Sequence, residues 1–365
     1  MDYSIDIVVF APLASIIGAL LLWFVQLLFI QSEKFLLGKI KPKHESLCKF
    51  TNFLGILFQT ICHALGYTVT RSGISDFIIS VDYGKVAPKK EKKGVFEWIS
   101  NAFLFLGPFF IPAFLLFICL IFLMNNGFEV LVPSNLIEPQ YSFVGQITIF
   151  FNSVYNFITN FLNFIISIDF LHPAHFGFFL LLIFLGMGIR PSYIGEKRKE
   201  KVDILYDLRN VWNLLSFRPL YIIIFFIAAY IFFLLSTFLN QIWYVQLFSI
   251  FAWLSIISVV AIIISELILL LVLATDQISG KLRFLPFVSI PSSYLAARLI
   301  FYYFPNDFSI TASFIIMIVF TFIVTIILLK YKTNKFKTET KMKLLRGKDV
   351  KEKNRKRRFI RKGTD

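Results

Sequence analysis

The chain has 365 residues, 57% of them hydrophobic and only 16% charged, with a formal net charge of +15 and a mean hydropathy of +0.74. A soluble globule carries about a quarter of its residues as charges, so the composition excludes one and describes a polytopic membrane protein. The three cysteines, Cys48, Cys62 and Cys119, are scattered, without the close pairs of a metal knuckle or the even set of a disulfide framework. The 46 Phe read as bulk for lipid-facing positions, with no aromatic function attached.

A crossing helix takes about 20 apolar residues. Residues 7–31 are the first such stretch. Asp2 and Asp6 stand where a signal peptide would be basic, and no small-residue cleavage site follows, so this stretch reads as a retained anchor. A second stretch covers 50–68. Next, 69–87 is β-branched and alternating in Thr68-Val69-Thr70 and Phe77-Ile78-Ile79-Ser80-Val81, which predicts short strands at the membrane face. Further apolar stretches are 95–124, 172–189, 219–240, 243–274, 285–304 and 308–330. Residues 143–171 carry Asn, Ser and Thr on one side of a Phe/Ile-rich helix, as an interfacial amphipathic helix does; a ninth span is the alternative. The expected fold is mainly α, a transmembrane helical bundle of about 7–8 spans with a small cytoplasmic-face β-sheet after the second helix.

Basic loops stay in the cytoplasm. Lys85, Lys89, Lys90, Lys92 and Lys93, the cluster from Arg190 to Arg218, and the C-terminal tail therefore belong inside, while loop 125–142 has no Lys or Arg and belongs outside. Lys34, Lys39, Lys41, Lys43 and Lys49 also favour the inside, so segment 50–68 either crosses or re-enters.

Within that segment lies Cys62-His63-Ala64-Leu65-Gly66-Tyr67. An intramembrane zinc protease needs two histidines at i and i+4, whose imidazoles share one helix face and one metal, and a Glu beside the first as general base for the zinc-bound water. Residues 57–67 resemble the His-Glu-Leu-Gly-His helix of site-2-protease-like metalloproteases, with His63 and Gly66 kept, Ala64 in place of the base and Tyr67 in place of the second ligand. The order of the downstream segments is also similar: a strand-like stretch, Gly84-Lys85-Val86, a basic linker, and a long span with Gly107-Pro108 near its start. Arg190-Pro191-Ser192-Tyr193-Ile194-Gly195 resembles the family's Pro-Ser-x-x-Asp segment, with Gly195 where the Asp would stand. The resemblance covers roughly residues 50–215 and rests on order and spacing.

The expected division is an N-terminal anchor helix and loop (1–49), a membrane core (50–215) that the resemblance makes protease-like, additional transmembrane helices (216–330) that have no counterpart in it, and a basic cytoplasmic tail (331–365). The resemblance implies a pseudoenzyme, because losing a positioned base costs about 10²- to 10⁴-fold in rate and a catalytic zinc needs three protein ligands. No catalytic residue, metal or cofactor is expected in that case, and the groove is left to bind a partner's transmembrane segment through His63, Tyr67 and the strand residues Phe77, Ile79 and Val81 by β-augmentation. A second reading keeps zinc through substitute ligands, with Tyr67, Asp76, Asp82, His172 or His175 joining His63. For the His172/His175 pair, an interfacial polar anchor is the competing role. A third reading is a transport or membrane-biogenesis component that works through the last spans and the tail.

Glu266 lies about ten residues from its span's end, roughly 15 Å deep, where an ionisable group needs a partner or a function. Arg298, beside Ala296 and Ala297, is the candidate partner. Residues 330–365 hold sixteen Lys or Arg against four acids, +12 of the chain's +15. Such a tail can anchor topology, bind anionic lipid headgroups or contact RNA phosphates such as those of ribosomal RNA.

Overall fold

The computed structural model describes residues 5–81, 83–123, 141–189, 204–278 and 280–331. Those residues are mainly helical and include a single two-stranded sheet. The chain divides into two compact units, Met1–Leu270 and Leu271–Asp365.

In the first unit a π-helical turn, Asp6–Phe10, leads into α1 (Ala11–Ile40), followed by α2 (Glu45–Val69), β1 (Ile74–Ile79) and β2 (Gly84–Pro88). Then come α3 (Val95–Phe105), α4 (Gly107–Leu123), α5 (Phe143–Ile166), α6 (Pro173–Gly188), α7 (Ile204–Phe217), α8 (Pro219–Phe238) and α9 (Trp243–Thr275), whose last turn belongs to the second unit. Five described helices are long and apolar enough to cross a membrane: Asp6–Ile40, α5, α8, α9 and Asn306–Tyr331. This is the architecture of a multi-pass membrane protein.

Several elements differ from the sequence-based expectation. The stretch 95–124 is two helices bent by 70°; Pro108 disfavours helical backbone at the residue before it, and the break falls at Leu106-Gly107. Segment 50–68 lies in a long helix, but Asn52, Gln59, Thr60 and His63 keep it out of the strongly apolar set. Stretches 172–189 and 285–304 each contain a helix of only 16 residues, about 24 Å long against a hydrocarbon core of about 30 Å. Helix α5, expected at the interface, meets the length and composition of a span. Its buried face packs on α1, where a side chain at Gly18 would run into the Phe150 ring, and Asn152, Asn156 and Asn163 point away from that contact. Asp6 accepts a hydrogen bond from the Phe143 N–H at 3.1 Å, and Ser142 Oγ one from Gly145 N–H at 3.1 Å, so the start of α5 is capped twice.

Thr68 and Val69, expected as strand, close α2 instead. Thr70 N–H and its hydroxyl both donate to the Gly66 carbonyl, and that last turn is pressed against α3, so packing overrides a weak β preference. The hairpin occupies 74–88, antiparallel with Phe77 opposite Val86 and Ile79 opposite Gly84. Its turn is closed by the Ser80 N–H donating to the Tyr83 carbonyl at 2.9 Å. Asn52 Nδ2 donates to the Val81 carbonyl at 2.7 Å and ties the hairpin to α2. Asn52→Ala is expected to loosen it by about 1 kcal/mol, read as roughly fivefold faster hydrogen exchange at amides 74–88, with the interior amides of α2 unchanged.

Helices α1 and α9 run parallel and in register. Tyr244 OH donates to the Pro12 carbonyl at 2.6 Å and Ser265 Oγ to Glu33 Oε1 at 2.9 Å, both across a separation of 232 residues. At the same offset, Gln26 Nε2 and Ser258 Oγ meet at one acceptor, the Phe109 carbonyl of α4, at 3.0 and 3.4 Å. These four side chains thus find acceptors or donors inside the bundle, while Ser15 Oγ, Ser249 Oγ and Ser255 Oγ of the same helices are buried without a hydrogen-bond partner among the described residues. A buried aromatic cluster joins three helices: Phe157 of α5 stacks on Trp253 of α9 at 5.2 Å and on Phe161 at 5.8 Å, with Phe117 of α4 at 6.2 Å.

The second unit contains a 3₁₀ turn (Gly280–Phe284), α10 (Leu285–Ile300) and α11 (Asn306–Tyr331). Arg298 donates to Ser309 Oγ at 2.9 Å and Asn306 Oδ1 at 3.3 Å, and Ser289 Oγ donates to Thr321 Oγ1 at 3.4 Å.

Candidate functional site

At 3.6 residues per turn, Asn52, Ile56, Thr60, His63 and Tyr67 fall within about 80° of arc on α2. The hairpin covers the first three: Val81 is held by Asn52, and Gly84 sits so close to Thr60 and Ile56 that no side chain fits there. One turn beyond, the His63 and Tyr67 rings lie with centroids 4.6 Å apart and planes tilted by 32°, the contact expected of residues at i and i+4. Both are half-buried.

The other side of α2 is occupied by packing. A Cβ on Gly188, at the end of α6, would lie 2.7 Å from Leu54 Cβ; one on Gly107 of α4 would lie 2.9 Å from Cys62 Cβ. At Gly66 it would lie 2.9 Å from Phe103 Cβ and 3.2 Å from the Ser100 carbonyl oxygen of α3. Gly66 is therefore required by the approach of α3. Thr70, Ser72 and Ser100 join hydroxyls at 2.9 and 3.1 Å just past it, and Lys92 Nζ donates to the Thr70 carbonyl at 2.6 Å.

Chemically the His63 face offers one imidazole and one phenol, and Ala64 adds nothing. Asp76 is paired with Lys85 at 3.2 Å on the exposed hairpin. His172 and His175 have ring centroids 4.8 Å apart at the start of α6, and His175 Nδ1 accepts the Asp169 N–H at 3.2 Å. Among the described residues no three His, Cys, Asp or Glu are grouped to hold a metal. Asp82, Gly195 with the rest of 190–195, and the tail beyond Tyr331 lie outside the described residues.

On the hairpin, Phe77 and Val81 are exposed and Ile79 half-buried; β1 pairs with β2 on one edge, and no further strand among the described residues covers the other. Glu266 Oε1 is buried without a hydrogen-bond partner among the described residues. Sequence reasoning missed Glu33, which is only 5% exposed and accepts from Ser265, the neighbour of Glu266. Its signal is the seven-residue step from Gln26, which puts both on one stripe of α1.

No family model, curated protein or solved structure matches the chain. Nothing in these comparisons bears on the resemblance to site-2 proteases.

Proposed function

We propose that this protein is a site-2-protease-like membrane protein that binds a partner's transmembrane segment without hydrolysing it. The observation that carries the reading is the face of α2, where the hairpin and the His63–Tyr67 pair follow one another, with a phenol in contact with the imidazole at the i+4 position. The end of α6, which leads in sequence into Arg190–Gly195, meets the same helix at Leu54 and Phe58, on the side away from His63. The guest lies along His63 and Tyr67 and adds to the uncovered edge of β1 near Phe77, Ile79 and Val81. In this reading the hairpin, the loop 190–218 and the basic tail face the cytoplasm, and the tail binds anionic headgroups or RNA phosphates.

The test is elemental analysis of the purified full chain together with photo-crosslinking from position 77. The expected result is less than about 0.1 zinc per chain, against the one that a three-ligand site would hold. Crosslinks to an intact transmembrane segment should persist under chelators. Stoichiometric zinc that disappears in His63→Ala, or cleavage of the crosslinked guest, overturns the proposal.

A further inference from the structure

A second site lies away from α2, where α3 meets the end of α7. Trp98 Nε1 donates to the Leu214 carbonyl at 3.1 Å, and its ring meets Tyr221, at the start of α8, edge-on at 6.0 Å. These contacts hold open a cleft of about 190 Å³ whose lining includes Glu97, Trp98, Asn101, Asn213, Phe217 and Arg218.

Its depth in the membrane follows from its neighbours. Arg218 immediately precedes α8, a candidate span whose Ile223, Ile224, Phe225 and Ile227 are exposed as lipid-facing side chains. Helix α7 exposes Leu205, Trp212 and Phe217, and Lys89, Lys90, Lys92 and Lys93 precede α3. Indoles, a phenol and basic groups at the start of a span mark headgroup level.

The cleft holds opposite charges that do not neutralise each other. Glu97 and Arg218 line one cavity, yet among the described residues neither belongs to an ion pair. The Arg218 guanidinium rests over the Phe217 ring at 5.1 Å, which orients it. An acceptor-only carboxylate and a donor-only guanidinium, separated by a cleft with two amide side chains, match a ligand that carries an ammonium and a phosphate. A ligand of single charge would leave one of the two groups opposed. The exposed apolar flank of α8 beside the opening gives the acyl chains of such a ligand a place to run. We infer that the α3–α7 cleft binds the headgroup of a zwitterionic aminophospholipid, with Arg218 on the phosphate and Glu97 on the ammonium.

The experiment is native mass spectrometry of the full chain in detergent with added dioleoyl phosphatidylethanolamine or dioleoyl phosphatidylglycerol, and with free phosphoethanolamine or inorganic phosphate as separate arms. Wild type is expected to retain the ethanolamine lipid about tenfold more than the glycerol lipid, the effect of one charge-assisted hydrogen bond. Glu97→Gln should erase that preference and Arg218→Ala should weaken both lipids, with circular dichroism and thermal unfolding of Glu97→Gln unchanged. Equal retention of the two lipids, or a preference that survives Glu97→Gln, overturns the proposal. Free phosphoethanolamine bound as tightly as the lipid overturns its membrane source.

Discussion

Gly186→Ala is expected to destabilise the first unit by about 3 kcal/mol, the upper end of what overpacking costs. A methyl group there would fall against the Ala261 carbonyl of α9 and 3.2 Å from the Ile262 nitrogen. These are backbone atoms, which cannot rotate aside as a flexible side chain could. Relief requires α6 to retreat from α9 as a body, which opens voids around the buried Leu182 and Leu185 and forfeits dispersion contacts. The control lies on the same helix: a methyl group at Gly177 would have nothing within 4 Å, so Gly177→Ala gains up to about 1 kcal/mol from helix propensity. Thermal unfolding in detergent should move the two variants in opposite directions. Equal shifts would show that α6 does not touch α9 at Gly186.

Phe157→Ala should cost about 3 kcal/mol, at the low end for a buried aromatic. The ring is fully buried and contacts Trp253, Phe161 and Phe117, so its loss leaves a void bounded by three helices. The transfer part of the cost shrinks because lipid is as apolar as the core; the void part remains, since helices fixed by other contacts cannot all collapse into it. Tyr155→Ala, two residues away and 68% exposed, is expected to stay within about 0.5 kcal/mol of wild type. The comparison is read from denaturant midpoints in detergent, and a Phe157→Ala midpoint equal to that of Tyr155→Ala would show that the cluster does not stabilise the fold.

Much of the candidate site was legible in the chain itself. His63 and Tyr67 at i and i+4 had to share a helix face, whereas Gly66 stood only as a kept residue of the motif and its close approach to α3 came from the structure. The hairpin was legible as well, although Thr68 and Val69 went to α2: a β-branched pair cannot announce that its neighbour Gly66 will be pinned by Ser100 and Phe103. Glu33 was hidden because it stands beside Lys34 near the end of an apolar stretch, where a charge ordinarily returns to water. Its burial depends on α9 bringing Ser265 to it from 232 residues away.

By itself, the sequence determined the apolar surroundings, the helical class and the imidazole and phenol that share a face at 63 and 67, because hydropathy, period and side-chain identity are local properties. Only the tertiary structure decided which Phe rings form a core and that 95–124 bends in the middle. It likewise decided that α1 and α9 run side by side and that Glu97 and Arg218 line one cleft. Each of these depends on atoms far apart in the chain meeting within a few ångströms, and no local pattern encodes the approach of backbones that glycine alone permits.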